Sequence, residues 1–230
     1  MNTSPAVDRT VRAVATIGPL LFFGVATIEG LLRAGYDPLA QPISALAIGP
    51  RGWIQQLNFL VLAASFFSFA VVVRTRLRPG AAAVAAPAVL VLMTVGVLIA
   101  GAFTMDPIGA AHTLEGRLHG AAGFLVFPWM PVLALILARR FRRDPRWRPL
   151  STYSLATGLF CLAMVIFFIA FVGPPDAGPR PLSWAVGLVQ RILLLPFLMW
   201  VSLVARRAST VGASESNAAA GAPSLAVTSQ

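Results

Sequence analysis

Six apolar stretches, each long enough to cross a lipid bilayer, constrain the fold of this chain. They cover residues 11–32, 53–73, 81–103, 117–138, 151–172 and 183–205. A bilayer core about 30 Å thick is crossed by roughly 20 helical residues. Charged residues make up only 11 % of the chain, against about a quarter in ordinary soluble domains. The sequence therefore predicts an all-α polytopic membrane protein, a bundle of six transmembrane helices that together form one domain, 11–205.

The arginines predict how this bundle is oriented. Short loops on the cytoplasmic side of a membrane protein carry the excess of positive charge. Of 18 basic residues, all arginine, 13 lie before or at the very start of the first span or after the second, fourth and sixth. Both termini are therefore expected in the cytoplasm, and the protein in the plasma (inner) membrane. The arginine-rich segment 139–148 is explained by topology, so no nucleic-acid partner is expected.

The two ends of the chain are predicted to lie outside the bilayer. Residues 1–10 form a short cytoplasmic segment, and residues 206–230 are small and polar, which is typical of a disordered tail. The single cysteine, Cys161, excludes a disulfide framework within the chain. Prolines within four of the spans predict kinks. They are Pro19, Pro87, Pro128, Pro131 and Pro196.

Polar side chains concentrate on the expected outer side, and one run of them is the most informative. In a helix, His112, Glu115 and His119 would lie on one face, with the carboxylate between the two imidazoles. This arrangement suits a proton relay or a pair of metal ligands. The two imidazoles would be about 10 Å apart along the axis, too far to share one ion easily. We therefore expect no metal and no other cofactor, and these three residues would be the ligands if a metal were bound.

Arg191 lies about two turns inside the last span, where a charge is costly unless it is paired or functional. We expect it to face the bundle and to pair with an acid, with Glu29, Asp106 or Glu115 as candidates. Glu29 and Arg191 are thus the predicted structural ion pair. An outward cavity for an anionic small molecule or a lipid headgroup would be lined by the following residues: Asn58, Asp106, His112, Glu115, His119, Gln190 and Arg191.

Each expected outer loop contains an acid that is followed seven residues later by a hydroxyl. The pairs are Asp37 with Ser44, Asp106 with Thr113 and Asp176 with Ser183. This spacing fits three copies of a two-helix hairpin. It also fits ordinary turn chemistry between helices of similar length, because Asp and Ser are common turn residues. The sequence leaves both interpretations open.

Three segments carry a resemblance to a known family. They are PISALAIGP in the first outer loop, FTMDPIGAAHTLEGRLHGAAGFLVF across the third and fourth spans, and GLVQRILLLPFLMW in the sixth. Together with the six spans, they resemble the bacterial membrane protein family called domain of unknown function 998 over residues 11–205. That family often has Ser-Asp-Leu-Gly where this chain has Ser44-Ala45-Leu46, and Glu-Arg where it has Gln190-Arg191. The resemblance implies a six-span membrane protein and no particular activity.

Three classes of function remain open at this point. The first is a non-catalytic accessory or structural membrane protein. The second is a protein that binds or transports a lipid headgroup or a small polar molecule at the outward polar cluster. The third is a membrane-embedded hydrolase that would use Ser44, Asp106, His112 and His119. No nucleophile or nucleotide-binding motif favours the enzyme, so a non-catalytic role is expected. The oligomeric state is not predicted.

Overall fold

The computed structural model describes residues 5–77, 79–107, 109–173 and 180–220, with side chains to residue 208. These residues form an all-helical chain in which no strand occurs. The helices are α1 (Pro5–Leu32), α2 (Gly52–Arg76), α3 (Ala82–Ala102), α4 (Leu114–Phe124), α5 (Trp129–Arg142), α6 (Ser151–Phe167) and α7 (Val186–Ala220). Short 3-10 helices lie at Ile43–Ala47, Arg148–Leu150 and Ser183–Ala185, and a π-helical turn, Phe168–Val172, continues α6.

Six segments of this structure are long and apolar enough to cross a membrane. They are Ala6–Leu32, Gly52–Arg76, Ala82–Ala102, Leu114–Arg142, Arg148–Val172 and Ser183–Ala208. The predicted six-helix membrane fold is confirmed, and the predicted spans lie within these segments to within one residue. The end of the bundle that carries residues 33–51, 103–113 and 180–182 is called the loop-1 end below, after the loop formed by residues 33–51. The opposite end of the bundle is called the terminal end.

The fourth span is interrupted, whereas the other spans that contain proline are continuous helices. Pro128 and Pro131 cannot donate the backbone hydrogen bonds that would join α4 to α5. Bonds between residues three apart take over, from Leu125 N to Ala122 O at 3.0 Å and from Val126 N to Gly123 O at 3.1 Å. The predicted kink is therefore a local tightening of the backbone, and these two amides keep partners inside the segment.

The last helix extends further than predicted. α7 continues to Ala220, although a disordered tail is expected from residue 206. The sequence between residues 208 and 220 has five alanines and no proline, and alanine has the highest helix propensity. A helix that is already nucleated in the bundle can therefore continue through it. Residues 221–230 of the predicted tail, residues 1–4, Arg78 and Asp176 lie outside the described residues.

Aromatic side chains fill the centre of the bundle between α2 and α7. Phe69 and Trp200 meet edge to face with ring centroids 6.1 Å apart, and Phe66 and Phe197 do so at 6.2 Å. All four side chains are almost completely buried. The indole nitrogen of Trp200 donates a 2.8 Å hydrogen bond to Ser154 Oγ on α6. This bond satisfies a polar group that would be costly to leave unpaired in an apolar interior.

At the terminal end, two carboxylates each bind two arginines. Asp8 pairs with Arg12 in the same helix and with Arg76 of α2, the latter at 2.7 Å. Asp144, between α5 and α6, pairs with Arg146 at 2.8 Å and with Arg140 at 3.7 Å. The hydrogen bond from Arg146 lowers the pKa of Asp144 below its usual value. The pair between Asp8 and Arg76 joins α1 to α2, whereas the pairs of Asp144 hold the turn after α5.

The orientation of the bundle can be tested by labelling single cysteines in a Cys161→Ser background. Ala110 and Arg142 are exposed at opposite ends of the bundle, so Ala110→Cys and Arg142→Cys form a matched pair. We expect a membrane-impermeant maleimide added outside intact cells to label Ala110→Cys and to leave Arg142→Cys unlabelled until the membrane is opened. The reverse pattern would overturn the arginine-based topology.

Candidate functional site

The segment between α1 and α2, residues 33–51 and called loop 1 here, folds onto the loop-1 end of the bundle. Its first part is a turn in which Asp37 accepts a 2.8 Å hydrogen bond from Leu39 N. Its second part is the 3-10 helix Ile43–Ala47, whose residues Ile43, Leu46 and Ala47 are buried. Buried apolar side chains hold the loop down. Its backbone carbonyls then lie against the protein and need donors from it.

Arg191 of α7 supplies several of these donors. Its Nη1 donates to Pro38 O at 2.7 Å, to Gln41 O at 3.2 Å and to Gly187 O at 3.0 Å. Its Nη2 donates to Tyr36 Oη at 2.7 Å, and its guanidinium lies 5.7 Å from the centre of the Tyr36 ring. The planar fork of donors suits several acceptors at once. Arg191 therefore attaches loop 1 to the last helix.

The residues beside Arg191 complete this attachment. Gln190 Oε1 accepts a 2.7 Å hydrogen bond from Ile43 N, and Leu188 N donates to Leu39 O at 2.9 Å. Tyr36 Oη lies 3.0 Å from both Gln41 O and Pro42 O. Burial raises the pKa of Tyr36, and the bond from Arg191 acts in the opposite direction. Tyr36 stays a neutral donor at physiological pH.

Two more arginines hold the ends of loop 1. Arg33, just after α1, donates through Nη1 to Leu46 O at 2.8 Å and through Nη2 to Ile48 O. Arg51, just before α2, pairs with Glu29 of α1, with 2.6 Å between Nη2 and Oε2. We call Arg33, Arg51 and Arg191 the loop-holding arginines. The sequence alone assigned no role to Arg33, Arg51 or Tyr36. Arg33 and Arg51 could have been noticed, because they lie on the side of the membrane where few arginines are expected.

These contacts show that the predicted ion pair between Glu29 and Arg191 is wrong. Glu29 is 4 % exposed and pairs with Arg51. Among the described residues, Arg191 is bound by carbonyls and by a phenol, and no carboxylate lies within ion-pair distance. The physical reason is that the folded loop brings several backbone acceptors to the guanidinium. Their combined dipoles can replace a single carboxylate as its partner.

Asp106 and Thr113 form the start of α4. Asp106 accepts hydrogen bonds from Thr113 N at 3.0 Å and from Thr113 Oγ1 at 2.7 Å, and these bonds lower the pKa of Asp106. Thr113 Oγ1 in turn accepts from Gly116 N at 3.0 Å, which is an N-cap. His112 Nδ1 lies 4.0 Å from Asp106 Oδ2, and His112 and Glu115 are exposed. The pair Asp106 and Thr113 therefore serves to cap a helix. In the first loop, by contrast, Asp37 bonds within its own turn.

His119 and Asn58 have separate partners in the interior. His119 Nδ1 lies 2.8 Å from Phe103 O, at the end of α3, and because a carbonyl only accepts, Nδ1 carries the hydrogen. The ring of His119 meets that of Phe59 edge to face. Asn58 Nδ2 donates to Phe22 O of α1 at 2.9 Å and to Gln55 Oε1 at 3.2 Å. Both residues thus join neighbouring helices.

The structure therefore places six of the seven predicted site residues in four groups of contacts, and Glu115 is exposed. Gln190 and Arg191 bind loop 1, Asp106 and His112 lie at the start of α4, His119 binds the end of α3, and Asn58 joins α2 to α1. No hydrogen bond or ion pair between described side chains connects one group with another. Within the described chain, no three His, Cys, Asp or Glu side chains lie together as potential metal ligands.

One open groove lies between α2 and α3. Its volume is about 580 Å³, and its wall is almost entirely apolar. The lining residues are Trp53, Gln56, Leu57, Leu60, Leu98, Gly101 and Ala102. None of them is a predicted site residue, and Trp53, Leu57 and Leu60 are exposed on the bundle surface. In a membrane this groove would face lipid acyl chains.

The attachment of loop 1 to α7 predicts a different effect for two glycine substitutions. A Cβ at Gly187 would collide with the backbone oxygens of Pro38 and Gln41, whereas at Gly120 it would meet nothing within 4 Å. We expect Gly187→Ala to destabilise the protein by about 1–3 kcal/mol, as overpacking does. Gly120→Ala should be neutral or stabilising by up to about 1 kcal/mol, from helix propensity. Thermal unfolding in detergent measures both, and equal midpoints would contradict the close docking of loop 1.

Comparisons with known proteins agree with this architecture. One protein-family model matches the chain over residues 16–207, and its description is "Protein of unknown function (DUF998)". Searches of curated proteins and of solved structures found no match. The family match covers most of the chain, including all six spans in whole or large part. The chain therefore belongs to the DUF998 family, as the motifs of its first loop and its third, fourth and sixth spans predict.

Proposed function

We propose that this multi-pass membrane protein is a non-catalytic structural or accessory protein of the plasma membrane, with its loop-1 end outside the cell. The observation that carries this proposal is the set of hydrogen bonds that Arg191 makes within the protein. Two of its nitrogens contact four acceptors of the protein itself. An anion-binding site would need these donors for its ligand. In this structure they stabilise a loop, so the most unusual charge in the sequence has a structural use.

The contacts of Ser44 do not support the hydrolase alternative. A nucleophilic serine needs a general base within hydrogen-bond reach. Ser44 Oγ donates to Met105 Sδ at 3.2 Å, and the two histidines have the separate contacts described above. His112 is near Asp106, but that carboxylate is bound by Thr113, the N-cap residue of α4. Of the four residues of the hydrolase hypothesis, Asp106 and His112 lie together, whereas Ser44 and His119 each have other partners.

The interrupted fourth span gives little support to a transporter. Discontinuous helices bind substrates in transporters where the backbone is unwound and its polar groups are free. Here the turn between α4 and α5 retains local hydrogen bonds, such as Phe127 N to Gly123 O at 3.0 Å and Trp129 N to Val126 O at 3.2 Å. These amides are satisfied within the segment, so they are not free to bind a solute.

A second candidate function is favoured by the exposed polar groups at the start of α4. His112, Glu115 and Arg117 are exposed there, and two of them can be cationic. They offer a surface to which an outer-leaflet headgroup or a small anion could bind without a closed cavity. This candidate and the structural proposal make opposite predictions for anion titrations.

We expect inorganic phosphate, citrate and glycerol 3-phosphate to cause no shift in the thermal unfolding midpoint of the wild type or of a His112→Ala/Arg117→Ala variant, at pH 5.5 and at pH 8. A ligand that binds only the folded state stabilises it by RT ln(1 + L/Kd), where L is the free ligand concentration, so absence of a concentration-dependent shift fits a structural role. Both replaced side chains are exposed, and the variant should fold. A concentration-dependent rise in the wild type that the variant loses would overturn the proposal and establish the anion-binding alternative.

A further inference from the structure

Three buried polar side chains follow one another along the contact between α1 and α2. Glu29 is 4 % exposed, Gln55 is 0 % and Asn58 is 3 %. Two contacts set the register of these antiparallel helices, Arg51 with Glu29 and Asn58 with the carbonyl of Phe22. They are seven residues, or about 10 Å, apart on each helix. Gln55 therefore lies between them, and we call Glu29, Gln55 and Asn58 the polar column.

Each member of the polar column has one buried polar atom without a hydrogen-bond partner. These atoms are Glu29 Oε1, Gln55 Nε2 and Asn58 Oδ1. An unpaired buried polar atom costs roughly 1–3 kcal/mol, and native structures contain few of them. Three on neighbouring side chains of one helix pair indicate that a partner occupies the column.

The unpaired atoms define the chemistry of that partner. Two are acceptors and one is a donor, so the partner must both donate and accept hydrogen bonds. Its net charge should be zero, because Arg51 already balances the carboxylate of Glu29 at 2.6 Å. A bare cation would leave Gln55 Nε2 without an acceptor, and an anion would face Glu29 and Asn58 Oδ1. Water donates twice and accepts twice, and it can satisfy all three atoms.

The surroundings of the column limit where water can enter and how far it can reach. At the loop-1 end, the Arg51 side chain is 52 % exposed, so the column begins beside solvent. At the other end, the rings of Phe22 and Phe59 lie with centroids 5.9 Å apart. Leu62, one turn beyond Asn58 on α2, is buried among apolar residues. Between these limits, Ala26 of α1, which has a small side chain, is buried and lies about level with Gln55.

We propose that the polar column is a hydration site, in which water enters beside Arg51, binds Glu29, Gln55 and Asn58, and stops at Phe22 and Phe59. The bundle then contains an aqueous recess that reaches about two helical turns inward from the loop-1 end and does not cross the membrane. This site is distinct from the exposed groups at the start of α4, and it does not depend on the structural role of Arg191. Bound water supplies the partners that the protein itself lacks at this contact.

Hydroxyl-radical footprinting of the unmodified protein tests the proposal without any substitution. Radicals formed from bound water oxidise side chains beside it, and phenylalanine is a readable target in mass spectrometry. Phe22 and Phe59 border the column and are 2 % and 7 % exposed, whereas Phe66 and Phe69, further along α2, are 1 % and 0 % exposed. We expect oxidation of the first pair to be several-fold faster than that of the second. Equal rates for the two pairs would overturn the proposal.

Silver accessibility provides a second test in the Cys161→Ser background. Ag⁺ is small, travels through water and blocks thiols, so Asn58→Cys should be protected from later maleimide labelling after Ag⁺ is applied from the loop-1 side. The maleimide is added after unfolding in denaturant, and Leu62→Cys, one turn deeper on α2, is the matched control that should stay reactive. Both variants are scored only on protein that elutes as a folded species in detergent. If Asn58→Cys stays as reactive as Leu62→Cys, water does not reach the column.

Discussion

The need to satisfy the backbone carbonyls of loop 1 governs the loop-1 end of this protein. A loop that covers an apolar bundle loses water from its backbone, and it has few regular hydrogen bonds to replace it. Pro38, Gln41, Leu46 and Ile48 all place their carbonyls against arginine side chains. Arginine suits this task because its charge is permanent and its donors lie in one rigid plane.

The arginines of the chain accordingly divide into two groups. Those at the terminal end are numerous, mostly flank spans and fit the charge bias that sets membrane topology. At the loop-1 end, Arg33, Arg51, Arg180 and Arg191 each bind a carbonyl or a carboxylate of the protein. An arginine that opposes the charge bias is thus explained by a local structural partner. Arg117 is the exposed member of this second group.

The sequence was sufficient for the six spans, because apolar length depends on composition alone. It also located Arg191 in the bundle, since a charge inside a span demands a partner. It could not identify that partner, because carbonyls carry no sequence signal and are brought to the guanidinium only when loop 1 folds. The pairing of Glu29 with Arg51 was missed for a related reason. Both residues border loop 1, and their proximity depends on the register of α1 against α2.

The functional site predicted from the sequence was limited in the same way, because its residues depend on tertiary contacts. Asp106, His112 and Glu115 are close in sequence, and two of them do lie together at the start of α4. Asn58, His119 and Arg191 are far apart in sequence, and depth in the membrane was the only argument for combining them. Depth fixes one coordinate of a residue and leaves its direction around the helix axis undetermined. Tertiary contacts decide that direction, and here they give each residue a different neighbour.

Hydrogen–deuterium exchange of loop 1 tests most directly whether Arg191 holds it. Arg191→Lys keeps the charge and loses the planar fork, and Arg117→Lys is the matched change at an exposed arginine of the same end. The account predicts faster exchange of the Ile43 and Leu188 amides in Arg191→Lys, because both bond across the contact between loop 1 and α7. It predicts no change at these amides in Arg117→Lys. Unchanged protection of Ile43 and Leu188 in Arg191→Lys would contradict the central role of this arginine.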